Sequence, residues 1–101
     1  IVPDTVIQQL STALTNGPDR VLLIPTAFSA GAMLDPTAPD GTKLRHHFGP
    51  SLQAFGHPGA GGSHAFADPE HGFAFAYVMN QMEPGILPGP KSLGLVAAVY
   101  S

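Results

Sequence analysis

Apolar residues recur at helical spacing near both ends of the chain. Over residues 3–16 they follow one another at intervals of three and four, which places them on one face of a helix. Pro3 and Asp4 suit a first turn, and Gly17 can supply the positive φ with which many helices end. A second apolar stripe over residues 90–100 predicts a closing helix.

The first half of the intervening chain predicts short strands and a long loop. Residues 21–24 form an apolar run that we expect to be extended, and residues 26–34 predict another strand, which Gly31 weakens. Residues 35–50 are rich in Pro and Gly and contain Asp40-Gly41, a pair typical of turns. They therefore predict a loop with a local excursion.

The second half of the chain alternates more clearly. Residues 63–67 have a strand-like composition and lead into a turn at residues 68–72, where Pro69 presets φ and Gly72 takes a positive value. The next strand, residues 73–80, places its larger side chains on one face: Phe73, Phe75, Tyr77 and Met79. Its other face carries residues small enough for a helix to pack closely against them: Ala74, Ala76, Val78 and Asn80.

The order of these elements predicts an α+β fold. Tight connections between the later strands make them antiparallel neighbours. The helices at the N- and C-terminal ends can lie on one face of that antiparallel sheet. Residues 1–101 fit within one domain or a portion of one, since domains contain roughly 50–250 residues.

The low share of charged residues predicts that much of the surface is covered by other protein. Only 11% of the residues are charged, against about 25% in ordinary soluble domains. A short chain exposes a large share of its surface and should carry more charge than average. We therefore expect the chain to be part of a larger domain, a subunit or a homo-oligomer. Its first residues, Ile-Val-Pro-Asp, resemble a cut or processed end.

Charge and residue usage exclude several functions. A net charge of −3 with four Lys and Arg residues gives no basic surface for nucleic acid. The absence of Cys excludes disulfides, thiol catalysis and thiolate metal sites, but leaves the compartment open. No apolar run approaches the roughly 20 residues that span a bilayer. We expect no cofactor.

Residues 55–64 carry the most information, because glycine within strands costs stability unless something approaches the backbone closely. The simplest interpretation is a bulge or a tight helix contact. A phosphate cradle is disfavoured, since neither G-x-x-x-x-G-K-[ST] nor G-x-G-x-x-G is present. A nucleophile elbow around Ser63 would need the motif G-x-S-x-G followed by a helix. Ala65 stands where the last glycine of that motif belongs, and the residues after it predict a strand. The remaining interpretation is a strand whose backbone lines an active site, with His57 contributing its side chain.

Three runs in this half carry a family resemblance. Residues 55–63, 66–70 and 75–80 read Phe-Gly-His-Pro-Gly-Ala-Gly-Gly-Ser, Phe-Ala-Asp-Pro-Glu and Phe-Ala-Tyr-Val-Met-Asn. They closely resemble the C-terminal part of β-lactamase-related serine hydrolases, which include class C β-lactamases and family VIII esterases. The resemblance extends weakly through residues 25–35 and the closing helix. It implies a fragment of the β-lactamase and transpeptidase-like fold, and an esterase-type hydrolase that acts through an acyl-enzyme.

The resemblance also implies roles for single residues. The family has a K-T-G triad on the strand that borders the active site, and many esterase-like members have H-x-G there, as in His57-Pro58-Gly59. His57 would then face the cleft and polarise it or assist proton transfer, and the Ala60 N–H would be one of two oxyanion donors. Pro58, Gly59 and Gly61 would contact a small ester or amide substrate. Pro58 replaces a residue that often carries a hydroxyl, which favours esters.

The family's nucleophile is missing from this chain. It belongs to an S-x-x-K motif, and no Ser here has Lys three residues later. The Tyr-x-Asn element is absent too, since Tyr77 and Asn80 are three positions apart. We therefore expect a partner, the remainder of the hydrolase domain, to carry S-x-x-K, and we predict that the isolated chain is inactive. The alternative is a non-catalytic binding or assembly module with the same fold.

The five His residues suggest a metal site only weakly. His46 and His47 are adjacent and would point to opposite faces of a strand, and no H-E-x-x-H motif exists. We expect His64 to be a half-buried strand residue and His71 to be solvated, and we assign no metal. Asp68 and Glu70 could form a carboxylate pair, although a turn already explains Asp68.

Overall fold

A computed structural model describes the whole chain, residues 1–101, as a six-stranded antiparallel sheet with a helix at each end. The elements in chain order are α1 (Asp4–Ser11), β1 (Thr15–Pro18), β2 (Pro25–Phe28), β3 (Met33–Leu34), β4 (Phe55–Pro58), β5 (His64–Asp68), β6 (Phe73–Tyr77) and α2 (Pro90–Val99). Each strand pairs with the next one along the chain, so the strand order in the sheet is also β1 to β6. The predicted α+β class is confirmed. Neither helix has the length and apolarity that crossing a membrane would require.

The N-terminal helix is shorter than its apolar spacing predicts. It ends at Ser11, and β1, residues 15–18, pairs with β2 and includes the last two residues of the predicted helix. The backbone N–H of Leu14 already donates to the carbonyl of Phe28 at 2.8 Å. Gly and Pro are poor helix formers, so pairing with β2 is favoured over further helical turns.

The run at residues 21–24 is a turn, so the expectation of an extended segment is wrong. The Asp19 carboxylate accepts hydrogen bonds from the backbone N–H groups of Val21 and Leu22, both at 2.8 Å. It also accepts one from the hydroxyl of Thr26 at 3.0 Å. Leu23 takes a positive φ of 60° within this turn. Side-chain capping by Asp19 therefore outweighs the strand preference of the apolar run.

The single strand predicted at residues 26–34 is a hairpin. β2 and β3 are joined by a turn in which the Ser29 N–H donates to the Ala32 carbonyl at 2.9 Å. Gly31 has a φ of 139° there, which only glycine adopts readily. The glycine that was expected to weaken a strand instead reverses the chain.

Residues 35–54 form a long loop, which confirms the loop predicted at residues 35–50. One buried carboxylate, that of Asp35, organises it. Asp35 binds Lys43 Nζ at 2.9 Å and accepts from the backbone N–H groups of His47 and Phe48. A bridge between Thr37 and Lys43 forms the excursion. Phe48 is completely buried and fills the core.

The core lies on one side of the sheet. Its buried members are Met33, Phe48, Ala54, Phe66 and Val96, and the half-buried Phe73, Phe75 and Tyr100 pack against them. Val96 belongs to α2, so α2 covers this face. The alternation predicted for β6 is confirmed, although the strand ends at Tyr77 and not at residue 80.

The opposite face of the later strands carries small side chains. Cross-strand pairing aligns Ala65 with Ala76 and Ala67 with Ala74. Three of these residues are exposed and Ala67 is half-buried. We call these four residues the alanine face. Leu10 of α1 lies beside it, in a shallow depression that Phe55 and His57 also line, so the two helices do not share a face as expected.

Candidate functional site

The turn between β4 and β5, residues 59–63, has a tightly constrained backbone. We call it the glycine turn. The Gly59 N–H donates to the Ser63 carbonyl at 2.6 Å and closes the turn. Gly61 and Gly62 have positive φ values of 90° and 114°. Residues with a side chain rarely adopt such positive φ values, which explains why two consecutive glycines occupy these positions.

Only one N–H of residues 59–62 remains free within this turn. The Gly61 N–H donates to the Gly85 carbonyl at 3.1 Å, and the Gly62 N–H donates to the Gly59 carbonyl at 3.2 Å. The Ala60 N–H has no acceptor in the chain, and Ala60 is exposed. A free backbone donor at an exposed turn can bind an anion or a polarised carbonyl oxygen.

The direction of the Ala60 N–H follows from peptide geometry. The Gly59 carbonyl and the Ala60 N–H belong to one planar trans peptide and therefore point in opposite directions. Because the Gly59 carbonyl faces the Gly62 N–H across the turn, the Ala60 N–H points out of it. The turn thus presents a single oriented donor.

His57 lies on the exposed face of β4, at the strand end that leads into the glycine turn. It pairs across the sheet with Ala65, so it shares a side with the alanine face. Its Nδ1 lies 2.6 Å from the carbonyl oxygen of Pro58. A carbonyl only accepts, so Nδ1 carries the proton and the neutral ring keeps its lone pair on Nε2. Nε2 can therefore accept a proton.

The other residues that the resemblance assigns to substrate binding lie around this donor. Gly59 is half-buried, whereas Pro58 and Gly61 are buried. Pro58 pairs with His64 and faces the core side of the sheet. The open surface at this end therefore consists of the His57 ring and the backbone of Gly59 and Ala60.

Ser63 has no catalytic surroundings in this chain. It follows the glycine turn and leads directly into β5, with no helix after it. Its Oγ makes no hydrogen bond, and the hydrogen bonds of the five histidines do not include it. The strand–turn–helix geometry of a nucleophile elbow is not formed here.

His64 is fully buried, so the expectation of a half-buried residue is wrong. It is 1% exposed and its ring lies among Phe48, Phe66 and Phe75, with centroid distances of 5.5–5.7 Å. Burial, with a smaller effect from His47, lowers its pKa to about 4. Neither ring nitrogen has a hydrogen-bond partner in the chain. Unpartnered nitrogens also occur nearby in Arg45 and His47.

Asp68 connects the β5–β6 turn to the C-terminal helix. Its fully buried carboxylate accepts hydrogen bonds from the Tyr100 hydroxyl and from His71 Nδ1, the latter at 2.8 Å. Burial raises the pKa of Asp68, but the hydrogen bonds from Tyr100, His71 and Ser51 outweigh it and leave this pKa low. Asp68, Glu70 and His71 place ligand atoms within 4.8 Å of one another. Because Asp68 is already satisfied by protein donors, we interpret the cluster as a structural link.

Sequence reasoning missed the segment at residues 82–85. Besides Gly85, it contributes Glu83, whose N–H donates to the Gly61 carbonyl at 2.9 Å. The Met82 side chain occupies the space beside Gly61, where an added Cβ would lie 2.6 Å from Met82 Cε. The paired glycines at 61 and 62 indicated a close approach, but nothing in their pattern identified the segment that approaches.

Comparisons with known proteins agree with the architecture. The family model described as Beta-lactamase matches residues 1–94. A penicillin-binding protein homologue from Caulobacter crescentus is 35% identical over 98% of this chain and 25% of its own, with a TM-score of 0.81. EstA from Arthrobacter nitroguajacolicus Rue61a is 34% identical over 97% and 24%, with a TM-score of 0.78. A family VIII carboxylesterase is 30% identical over 91% and 23%, with a TM-score of 0.77.

The chain spans about a quarter of the length of these solved structures. No curated protein matches it.

Proposed function

Because this chain belongs to the β-lactamase family, we propose that it supplies one side of the active site of an esterase-type serine hydrolase. The observation that carries the proposal is the free Ala60 N–H, which points out of the glycine turn beside His57. The nucleophile comes from an S-x-x-K motif in the remainder of the domain. We use the term complete hydrolase for a polypeptide that joins this segment to that remainder.

The reaction proceeds through an acyl-enzyme. The serine oxygen attacks the ester carbonyl carbon, and negative charge develops on the carbonyl oxygen. The Ala60 N–H and the N–H of the nucleophile itself stabilise that charge, and each such donor contributes about 10²–10³ in rate. The C–O bond to the alcohol breaks, and the alcohol takes the proton that the serine hydroxyl gave up in the attack. Water then attacks the acyl-enzyme and releases the carboxylic acid and the free serine.

His57 assists proton transfer or polarises the cleft. The bond from Nδ1 to the Pro58 carbonyl orients the ring and leaves Nε2 as the group that meets substrate. An oriented imidazole beside developing charge suits general acid–base catalysis, which contributes typically 10²–10⁴-fold. The exposed position of His57 on β4 supports this role.

The substrate class is a small ester. The family VIII carboxylesterase among the similar structures supports this class by its name. Pro58 supports it as well, because the residue offers no hydroxyl for a substrate carboxylate and its ring is buried.

The alanine face is where we place the remainder of the domain. Ala65, Ala74 and Ala76 are exposed and small, so a helix can approach the sheet closely there. His57 lies on the same side. A helix carrying the nucleophile on this face would bring its serine toward His57 and the Ala60 N–H.

Kinetics of the complete hydrolase test the proposal. His57→Ala should lower kcat on a p-nitrophenyl ester by about 10²-fold or more with little loss of stability, because the exposed ring makes few packing contacts. Ala60→Pro removes the backbone donor and keeps every polar side chain, and it should abolish activity. His64→Ala should affect folding more than the chemical step.

The alternative, a non-catalytic module, predicts no kinetic distinction among these three variants. If His57→Ala kept near-full activity and a folded His64→Ala lost it, the assignment of His57 to the active site and of His64 to the core would be wrong.

A further inference from the structure

The segment at residues 82–85 holds both backbone groups of Gly61. The Gly61 N–H donates to the Gly85 carbonyl at 3.1 Å, and the Gly61 carbonyl accepts from the Glu83 N–H at 2.9 Å. The peptide planes on either side of Gly61 are therefore fixed by one neighbouring segment. Gly61 itself is buried, although it lies in a turn.

Met82 closes the remaining space around Gly61. A Cβ built on Gly61 would lie 2.6 Å from Met82 Cε, a steric clash, and 3.0 Å from Met82 Cγ, which is closer than an ordinary carbon–carbon contact. The Met82 side chain is itself largely exposed, at 72%. Because Met82 is exposed and covers a buried glycine, we interpret its role as restraint of the glycine turn and not as filling of a core.

Restraint of Gly61 determines where the Ala60 N–H points. The Ala60–Gly61 peptide is fixed by the bond to Gly85, and the Gly59–Ala60 peptide by the bond between the Gly59 carbonyl and the Gly62 N–H. Rotation of the Ala60 N–H therefore requires at least one of these bonds to break. Donors that are oriented before the reaction stabilise a transition state more than donors that must reorient.

We infer that the 82–85 segment is a positioning element for the oxyanion donor, with Met82 and Glu83 as positioning residues. The inference rests on the proposed function, because it assumes that the Ala60 N–H binds the substrate oxygen. Neither residue contacts the reacting atoms. Each acts through Gly61.

The test compares two substitutions at one position in the complete hydrolase. Glu83→Pro deletes the N–H that binds the Gly61 carbonyl. Glu83→Ala keeps that N–H and removes the side chain beyond Cβ, including the carboxylate that lies 3.6 Å from Lys91 Nζ. We expect Glu83→Pro to lower kcat by about 10- to 100-fold with KM changed by less than about twofold. Affinity for a phosphonate transition-state analogue should fall by the same factor as kcat/KM.

A second measurement reports on the turn directly. Hydrogen exchange at the bonded N–H groups of Gly59, Gly61 and Gly62 should rise in Glu83→Pro and stay low in Glu83→Ala, since only the first variant frees Gly61. Faster exchange with unchanged kcat would overturn the inference, as would an equal loss of kcat in the two variants. If Glu83→Pro does not fold, Met82→Ala decides: we expect about a fivefold loss of kcat at constant KM, and an unchanged kcat overturns the inference.

The two proposals fail in different ways. Full activity of Ala60→Pro contradicts the proposed function whatever the Glu83 variants show. Loss of activity in Ala60→Pro with full activity in Glu83→Pro contradicts only the positioning role.

Discussion

His64 is a neutral imidazole enclosed by aromatic rings. Its pKa is lowered from 6.5 to about 4, chiefly because burial disfavours the charged form. Between these two pH values the unfolded chain binds a proton that the folded chain does not, so acid favours unfolding. The free energy of unfolding should fall by about 3 kcal/mol as pH drops from 6.5 to 4.

His64→Leu tests this expectation. Leucine keeps an apolar side chain in the same site and cannot titrate, so its free energy of unfolding should depend less on pH in that window. Urea unfolding of the complete hydrolase at pH 7 and pH 5 measures the difference. Parallel pH dependence in the two proteins would mean that another group titrates.

Gly56 is required by the close approach of β4 and β5. A Cβ at this position would lie 2.1 Å from the Ala65 carbonyl oxygen and 2.5 Å from Phe66 Cβ. Gly56→Ala should therefore destabilise the complete hydrolase by about 3 kcal/mol, the upper range for overpacking. Gly17→Ala is the matched control, because nothing lies within 4 Å of its added Cβ. Thermal unfolding should show a lower Tm for Gly56→Ala alone.

Single residues also mark the limit of sequence-based prediction. The position of His57 on a strand beside a glycine turn could be predicted from the sequence and the family resemblance. The complete burial of His64 could not, because strand alternation does not reveal which face receives Phe48 from the distant loop. The sequence also could not show that the Ala60 N–H is free, because this depends on the hydrogen bonds that the neighbouring glycines make in three dimensions.

At the scale of elements, Asp68 and Tyr100 attach the end of α2 to the β5–β6 turn. Gly49 makes room for the Tyr100 ring, since an added Cβ would lie 2.2 Å from Tyr100 Cε2. Burial, and then hydrogen bonding to Asp68, raise the pKa of Tyr100, so its hydroxyl stays protonated and donates across the physiological range.

Tyr100→Phe should weaken this attachment. It keeps the ring packing against Phe73 but removes one donor from the buried Asp68 carboxylate, which should cost about 1–3 kcal/mol. Tyr77→Phe is the matched control, because the Tyr77 hydroxyl makes no hydrogen bond in the chain. Chemical denaturation of both variants of the complete hydrolase measures the difference. Equal stability of the two variants would show that the hydrogen bond from Tyr100 to Asp68 does not stabilise the attachment of α2 to the turn.

The elements of the second half could be predicted better than those of the first. β5, β6 and α2 follow clear alternation or helical spacing, and a glycine lies just before the start of each. The first half was harder because a short polar side chain and a glycine determine its backbone turns. Asp19 turns an apolar run, and Gly31 reverses a segment that was expected to be one strand.

At the scale of the whole molecule, this segment leaves much apolar surface uncovered. Only 20 of 101 residues are buried, and large hydrophobic side chains such as Leu14, Val21 and Val78 are more than two-thirds exposed. Together with the low charge, this favours association with other protein.

We predict that the isolated chain associates in solution or folds poorly alone. Light scattering at micromolar concentration should report species larger than a monomer, or circular dichroism should show no cooperative unfolding. A compact monomer that melts cooperatively would contradict this prediction.

We propose that this chain contributes a side of the active site, and it lacks the S-x-x-K nucleophile. Fluorophosphonate labelling followed by mass spectrometry of peptides tests it most directly. In the complete hydrolase, the label should appear on the serine of S-x-x-K and on no serine of residues 1–101. The isolated chain should remain unlabelled and should hydrolyse p-nitrophenyl esters no faster than free imidazole. A stoichiometric label on Ser63 would contradict the account and identify that residue as the nucleophile.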